Sequence, residues 1–359
     1  MQRLKLSISP CPNDTFMFDA IINGRIDLDG FAFDVAYHDI EELNRALEGG
    51  APDISKMSCA LLPEITSEYR LLDSGAALGR GNGPLLVRRR GERAPLRRIA
   101  VPGLHTTANA LVARLFPEIG ERVPLLFSEI AAAVVREKAD LGVVVDPDVD
   151  RLALVCQNGE MFGEEYTLVA VADYILSAGA GNTVSNLSSS RALRDVTEAH
   201  GGHYEASAVG EVNVVAKMKQ TGAVIGGEGN GGVIYPALHY GRDALVGVAL
   251  FLTFLVKKDM TMTELRATYP AYYASKNKIQ LTPEIDVDKV LHEMKTRYAG
   301  EKVNDIDGVK IDFPDNWVHL RKSNTEPIIR VYTEARSPEE ADALAARFIA
   351  EIKGICGIK

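Results

Sequence analysis

Three aspartates, Asp146, Asp148 and Asp150, alternate after the β-branched run Val143–Val144–Val145, with Arg151 directly behind them. Carboxylates crowded onto one short loop repel one another unless a hard cation sits among them, and such all-oxygen donors suit Mg²⁺. Alternation at period two would splay the three side chains, so a tight loop, which Pro147 helps to form, must converge them. An acidic, solvated turn is the plainer reading of the same spacing. A second constellation is the string Gly226–Gly227–Glu228–Gly229–Asn230–Gly231–Gly232. Its glycines let a backbone approach a ligand closely while Glu228 and Asn230 bond to hydroxyls; the alternative is a loose glycine turn. The third runs from Arg321 through Lys322, Ser323, Asn324 and Thr325 to Arg330. Hydroxyls, an amide and backbone N–H groups between two arginines suit the diffuse double charge of a phosphate, although a polar hairpin loop would share much of this composition.

Two further polar loops lie nearer the amino terminus. Ser9–Pro10–Cys11–Pro12–Asn13–Asp14–Thr15 presents an amide, a carboxylate and a hydroxyl at a helix start. Thr106–Thr107 gathers hydroxyls and free N–H groups at another, where an anion is favoured. Simple helix capping explains either loop taken alone.

The elements that must hold these loops alternate. Up to Val145 the pattern predicts short strands at 4–9, 31–37, 54–57, 98–101 and 125–127. Phe31, Phe33, Val35 and Tyr37 share one face of the second strand. Helices are predicted at 16–23 with Asp14 or Thr15 as cap, at 40–47 behind an Asp39/Glu42 capping box, and at 59–65, 107–116 and 129–138. Beyond Asp146 come strands near 151–155, 183–187 and 223–226. Helices fill 166–176, a stretch from Ser189 or Ser190 to His200, and 211–222, a βαβ rhythm that suggests a mostly parallel sheet. Strands near Val309 and Ile328 and a helix from Pro338 to Lys353 complete the chain.

Composition narrows the classes. With 359 residues, 46% hydrophobic and 25% charged, the chain has enough material for two or three soluble α/β domains. A formal net charge of −9 argues against a nucleic-acid partner, and the one basic cluster, Arg88–Arg89–Arg90 with Arg93, Arg97 and Arg98, reads as a solvated turn. Cys11, Cys59, Cys156 and Cys356 are widely spaced, which fits a reducing compartment. No signal-peptide core follows Met1 and no apolar run reaches the roughly 20 residues of a membrane span, so a cytoplasmic location without a membrane partner is expected.

Asp146–Pro147–Asp148–Val149–Asp150–Arg151 resembles the metal loop of the α-D-phosphohexomutases, and the sequence after it resembles that family to its end. The resemblance implies Mg²⁺ at Asp146, Asp148 and Asp150. It implies sugar recognition by Arg151, Glu228, Asn230 and Arg242, and phosphate binding by Arg321, Ser323, Asn324, Thr325 and Arg330. The implied activity is phosphohexomutase-type intramolecular phosphotransfer on a sugar phosphate. The family's phosphoryl-carrying serine lies in a T-A-S-H-N-P-like stretch that has no counterpart here, so catalysis is expected to be incomplete.

The first 145 residues instead resemble 1,4-dihydroxy-6-naphthoate synthase of menaquinone biosynthesis. The resemblance rests on the Ser9–Phe16 and Thr106–Ala108 loops and on Ser74–Gly75–Ala76–Ala77–Leu78–Gly79–Arg80–Gly81–Asn82–Gly83–Pro84. It implies a partial periplasmic-binding-protein-like domain in which Asn13, Thr15, Ser58, Thr106 and Thr107 line a cleft for an aromatic carboxylate. That family continues past the strand at Val145 to a histidine base and a return segment; here Asp146 stands in that place. The expected organisation is therefore a chimera of a naphthoate-synthase-like part (1–145), a phosphohexomutase-like α/β part (146–275) and a small α+β domain (276–359). Its alternative activities are the naphthoate-forming lyase step or non-catalytic phosphosugar binding.

Overall fold

The computed structural model describes residues 2–73, 75, 95–146, 149–280, 285–322 and 328–357. It divides into two compact units, Met1–Ile130 and Ala131–Lys359. That division falls upstream of the expected join at 145.

In the first unit β1 (Gln2–Ile8) leads to α1 (Pro12–Met17) and α2 (Asp19–Ile22), then β2 (Phe31–Tyr37), α3 (Ile40–Glu48) and β3 (Ile54–Ser55). A 3₁₀ turn at Cys59–Leu61 and α4 (Leu62–Ile65) follow, then β4 (Arg98–Val101), α5 (Thr107–Leu115) and β5 (Glu121–Pro124). β1 pairs in parallel with β2 and β3, and β4 pairs in parallel with β5. The capping box of α3 forms as its spacing predicts: Asp39 accepts from the Glu41 N–H while Glu42 reaches back to the Asp39 N–H. Asp14 does not cap a helix at Phe16. It sits inside α1 and its carboxylate accepts from the Ser9 N–H and hydroxyl and pairs with Lys56 at 2.9 Å, a tertiary role that wins over the local one. β2 keeps the predicted span but buries neither face fully.

The second unit opens with α6 (Ile130–Arg136) and β6 (Leu141–Val145), which forms an antiparallel hairpin with β7 (Leu152–Cys156). Leu141 faces Cys156 and Val145 faces Leu152, so the aspartate loop is the tip of a hairpin. The turn after β7 packs closely on α6: a side chain at Gly159 would meet Val135 and the Ala131 carbonyl. α7 (Glu164–Leu176), β8 (Thr183–Asn186), α8 (Ala192–Ala199), β9 (Tyr204–Ser207), α9 (Glu211–Thr221), β10 (Ile225–Glu228), β11 (Gly232–Ile234), α10 (Ala244–Lys258) and α11 (Met262–Ala267) follow. The sheet order is β11-β10-β8-β9, parallel except for the β10–β11 pair. Alternation divides its side chains between two faces. Ile225 and Val233 join the large core with α7, α8 and α10, and Val184 and Ile234 join the α9 side with Val214 and Met218. Strand β9 lacks a pattern strong enough to be read from the sequence.

The last part is a five-stranded antiparallel sheet, β12 (Tyr273–Gln280), β13 (Lys302–Asn304), β14 (Val309–Asp312), β15 (Trp317–Lys322) and β16 (Ile328–Ala335), in the order β12-β16-β15-β14-β13. α12 (Val287–Arg297) and α13 (Pro338–Cys356) cover one face, where Met294, Phe348 and Ile352 pack on Ile311, Leu320 and Val331. No helix among the described residues is long and apolar enough to cross a membrane.

Candidate functional site

The hairpin tip between β6 and β7 is fastened by Asp146. One of its carboxylate oxygens accepts from the N–H groups of Asp150 and Arg151, both at 3.1 Å. Val149 adopts a left-handed backbone (φ 58°), which a β-branched residue takes only under constraint. The turn aims Asp150 inward. There one carboxylate oxygen pairs with Arg242 and the other, Oδ1, is buried without a hydrogen-bond partner. Burial pushes the Asp150 carboxyl up to about 6, with Asp146 adding to the rise and Arg242 opposing it. An orphaned carboxylate oxygen beside a second carboxylate fits a hard divalent cation, and Asp146 and Asp150 would supply two of its donors. Asp148 lies outside the described residues, and among these no group of three metal-ligating side chains assembles. Arg151 stands over the loop, its Nε 3.7 Å from Asp146 and 3.9 Å from Asp150.

The glycine string brings Glu228 to the same place. Glu228 ends β10, is 5% exposed, and accepts from Asn186 Nδ2 (2.8 Å), the Gly210 N–H (3.2 Å) and Arg242 (2.7 Å). Asn230 folds back to accept from the Gly232 N–H. Gly231, at φ +85°, is required, because a Cβ there would run into the Leu152 carbonyl, while one on Gly229 would have to push the Glu165 carboxylate aside. Glu165 accepts from the Ser190 N–H, and burial of its carboxyl raises it to about 8. Arg242 thus joins the aspartate loop to the glycine loop, and Glu211 holds it from a third side, accepting from its backbone N–H at 3.0 Å and lying 3.4 Å from its Nε. Glu211 and Asn186 are residues that sequence reasoning misses. Each lies more than ten positions from the loop it serves, and no spacing rule connects them.

Ser189 and Ser190 have the residue type of caps for α8. Its N-cap is Arg191 without a side-chain cap bond, although the Ser190 hydroxyl does accept from the Ala192 N–H. Ser189 instead braces the glycine loop by accepting from the Gly229 N–H.

β15 and β16 place Arg321 directly opposite Arg330 at the base of the 323–327 loop. Like charges facing across a strand pair are unfavourable unless an anion or a carboxylate intervenes. Arg321 reaches Asp307 at 3.0 Å, and Arg330 donates to the Tyr332 hydroxyl at 3.3 Å. Lys322 pairs with Asp288 on the surface. Ser323, Asn324 and Thr325 lie outside the described residues. The face of this sheet turned away from α12 and α13 is tied to the preceding domain. Lys310 donates to the Leu187 carbonyl, His319 Nδ1 bonds to the Ser188 hydroxyl, and the Arg191 guanidinium donates to the carbonyls of Phe313, Pro314 and Asn316.

In the first unit the expected cleft hydroxyls are turned to the backbone. Thr15 donates to the Cys11 carbonyl, Thr106 donates to the Gly103 carbonyl and caps α5, and Thr107 accepts from the Ala60 N–H. Ser58 is clasped by the buried Asn44, which also donates to the His105 carbonyl. Ser58, Thr106 and Thr107 therefore gather around one corner, while Thr15 is held within its own helix. The Asn13 side chain lies outside what is described. Asn44 and Glu41, both on α3, organise that corner: burial opposes the Glu41 charge, but hydrogen bonds from His105 hold its carboxyl below the usual range.

Comparison with known proteins matches the two halves separately. Residues 4–149 match a family described as menaquinone biosynthesis. Residues 163–272 match the phosphoglucomutase/phosphomannomutase alpha/beta/alpha domain III, and 276–351 its C-terminal domain. The chain is 32% identical over 231 residues to a probable phosphoglucosamine mutase of Methanopyrus kandleri, covering 64% of this chain and 51% of that protein. It is 35% identical over 228 residues to a phosphoglucomutase/phosphomannomutase of Thermococcus kodakarensis, covering 63% and 49%. It thus spans about half the length of these curated relatives. A phosphoglucomutase/phosphomannomutase family protein from Burkholderia thailandensis shares the fold with a TM-score of 0.59 at 20% identity, over 96% of this chain and 70% of that one. A putative phosphomannomutase from Thermus thermophilus aligns with a TM-score of 0.53 at 19% identity, over 97% and 90%. The chain is therefore a chimera of two families, a menaquinone-biosynthesis segment followed by domain III and the C-terminal domain of the phosphoglucomutase/phosphomannomutase family.

Proposed function

We propose that the second unit binds Mg²⁺ and a hexose phosphate but does not by itself move the phosphoryl group. The observation that carries this reading is the cross-strand pair Arg321 and Arg330, opposite one another in register at either end of the Ser323–Asn324–Thr325 stretch, with Asp307 already holding Arg321. A phosphate dianion would offer each a charge-assisted bond, which Arg330, bonded only to the Tyr332 hydroxyl among the described residues, is the freer of the two to make. Glu228 and Arg242, at the end of the neighbouring sheet, take the hydroxyls of the sugar. Asp146, Asp148 and Asp150 would hold Mg²⁺, which would supply positive charge to a bound phosphoryl group. The carrier serine of the mutases is the part we take to lack a counterpart, a reading supported by the match of residues 4–149 to a different family. Without a nucleophile the site binds and orients its ligand but passes nothing on.

The first unit is proposed to have no turnover of its own, since the hydroxyls of Thr15, Thr106 and Thr107 are already bonded to backbone. A cytoplasmic location and the absence of nucleic-acid partners belong to the same reading. The test is a coupled assay for conversion of glucose 1-phosphate to glucose 6-phosphate, with and without a separately supplied first mutase domain. Conversion by the chain alone would contradict the proposal.

A further inference from the structure

Arg242 is surrounded by three carboxylates from three different elements. Its NH2 pairs with Asp150 of the hairpin tip, its NH1 with Glu228 of β10 at 2.7 Å, and its Nε lies 3.4 Å from Glu211 at the start of α9. Its side chain is 14% exposed, and Glu211 also fixes its backbone N–H. A guanidinium in this position already supplies the positive charge that the aspartate loop needs. From this geometry we infer that Arg242 is a resident counter-cation of the metal loop, that it competes with Mg²⁺ for Asp150, and that Glu211 is the anchor onto which it withdraws when the metal binds. The inference rests on the reading of Asp146, Asp148 and Asp150 as a Mg²⁺ site and adds what stands in that site's way. Two like charges cannot share one carboxylate at contact distance without a cost, so whichever cation leaves Asp150 must find other oxygens. Glu211 and Glu228 are those oxygens for Arg242. Glu211 is then a positioning residue, acting on the metal only through Arg242.

The experiment is calorimetric titration of MgCl₂ into the full chain, with circular dichroism checking the fold of every variant. Removing the competitor in Arg242→Met is expected to tighten Mg²⁺ binding at least roughly tenfold. Arg242→Lys, which keeps the charge, is expected to stay much closer to wild type. A gain in affinity has no explanation in structural damage. Glu211→Gln takes away the anchor and is expected to weaken Mg²⁺ binding severalfold, an effect that disappears when Arg242 is already methionine. Where Arg242→Met does not fold, Arg242→Gln, which keeps hydrogen-bond donors without the charge, replaces it in both the single and the double variant. Equal or weaker Mg²⁺ affinity in the folded neutral variant, or a Glu211→Gln effect that persists in the double variant, overturns the inference and leaves the metal site standing. Absence of Mg²⁺ binding in wild type and in all variants overturns both.

Discussion

The two units match different families over most of their lengths, and they are built differently. Among the described residues of the first, the fully buried apolar side chains include Leu6, Ile8, Leu43, Leu47, Leu61, Ile65, Val101 and Ile119, and only Leu47, Leu61 and Ile65 form a cluster. Phe16, Leu71, Leu72 and Leu115 stand more than half exposed. The second unit buries two continuous cores, one around α7 and α10 and one between the antiparallel sheet and α12 and α13. Resemblance in sequence therefore reports which fold a segment was shaped for, while stability depends on whether the apolar faces that fold exposes are all covered.

The largest test of that contrast is a pair of truncations. Phe348→Ala removes a side chain with no exposure from the second unit and is expected to cost about 3–5 kcal/mol. Phe31→Ala in the first unit, where the ring is 39% exposed, is expected to cost less than about 1 kcal/mol. Urea unfolding followed by a probe in each unit measures both, and comparable losses would show that the first unit is packed as tightly as the second.

A pH series sharpens the comparison by acting on the second unit. Burial drives His319 down to about 4, against the pull of the Asp307 carbonyl. The unfolded chain binds that proton near pH 6.5, so between the two values the unfolded state holds more protons and stability rises with pH. The His319 contribution is complete above about pH 6.5 and is lost as pH falls towards 4, amounting to at most about 3 kcal/mol. Glu165, raised to about 8, works oppositely, losing stability as pH rises from the ordinary carboxylate range. The difference between wild type and His319→Gln isolates the histidine: the variant should show a shallower loss of stability between pH 6.5 and 4.5. Identical slopes would mean the imidazole is not held neutral.

A smaller effect compares like with like. In both units a glycine lies against a buried carboxylate, Gly103 on Glu41 and Gly229 on Glu165. Alanine at either position forces that carboxylate aside, at about 1–3 kcal/mol. Only Gly229→Ala should also weaken sugar-phosphate binding, because only Gly229 lies in the loop proposed to take the sugar. An equal effect of Gly103→Ala on binding would undo that assignment.

The elements that rest on local rules were legible in the sequence. The Asp39/Glu42 box, the span of β2, the strands near Val309 and Ile328 and the long α13 depend on spacing within a few residues, and each forms near its predicted place. What was not legible depends on partners distant in the chain. Asp14 has the residue type of a cap but is taken by Ser9 and Lys56. The loops are recognisable one at a time, whereas the guanidinium that joins two of them, and the Glu211 and Asn186 that hold it and Glu228, become visible only once β8, α9 and β10 lie side by side. Strand β6 is the clearest case. Its residues match the menaquinone family, yet its hydrogen bonds are made with β7, which lies beyond that match. A β-strand needs only a partner with a matching apolar alternation, which no local rule in the sequence identifies.

The central claim is that the second unit recognises a sugar phosphate through Arg321 and Arg330. Calorimetric titration of the full chain with glucose 1-phosphate and with glucose, in the presence of Mg²⁺, tests it most directly. A charge-assisted hydrogen bond to phosphate is worth about 1.5–3 kcal/mol. The sugar phosphate should therefore bind while glucose hardly does, and Arg330→Ala should weaken binding at least roughly tenfold. Equal affinity for the two ligands, or an Arg330→Ala variant that binds as wild type does, would contradict the account.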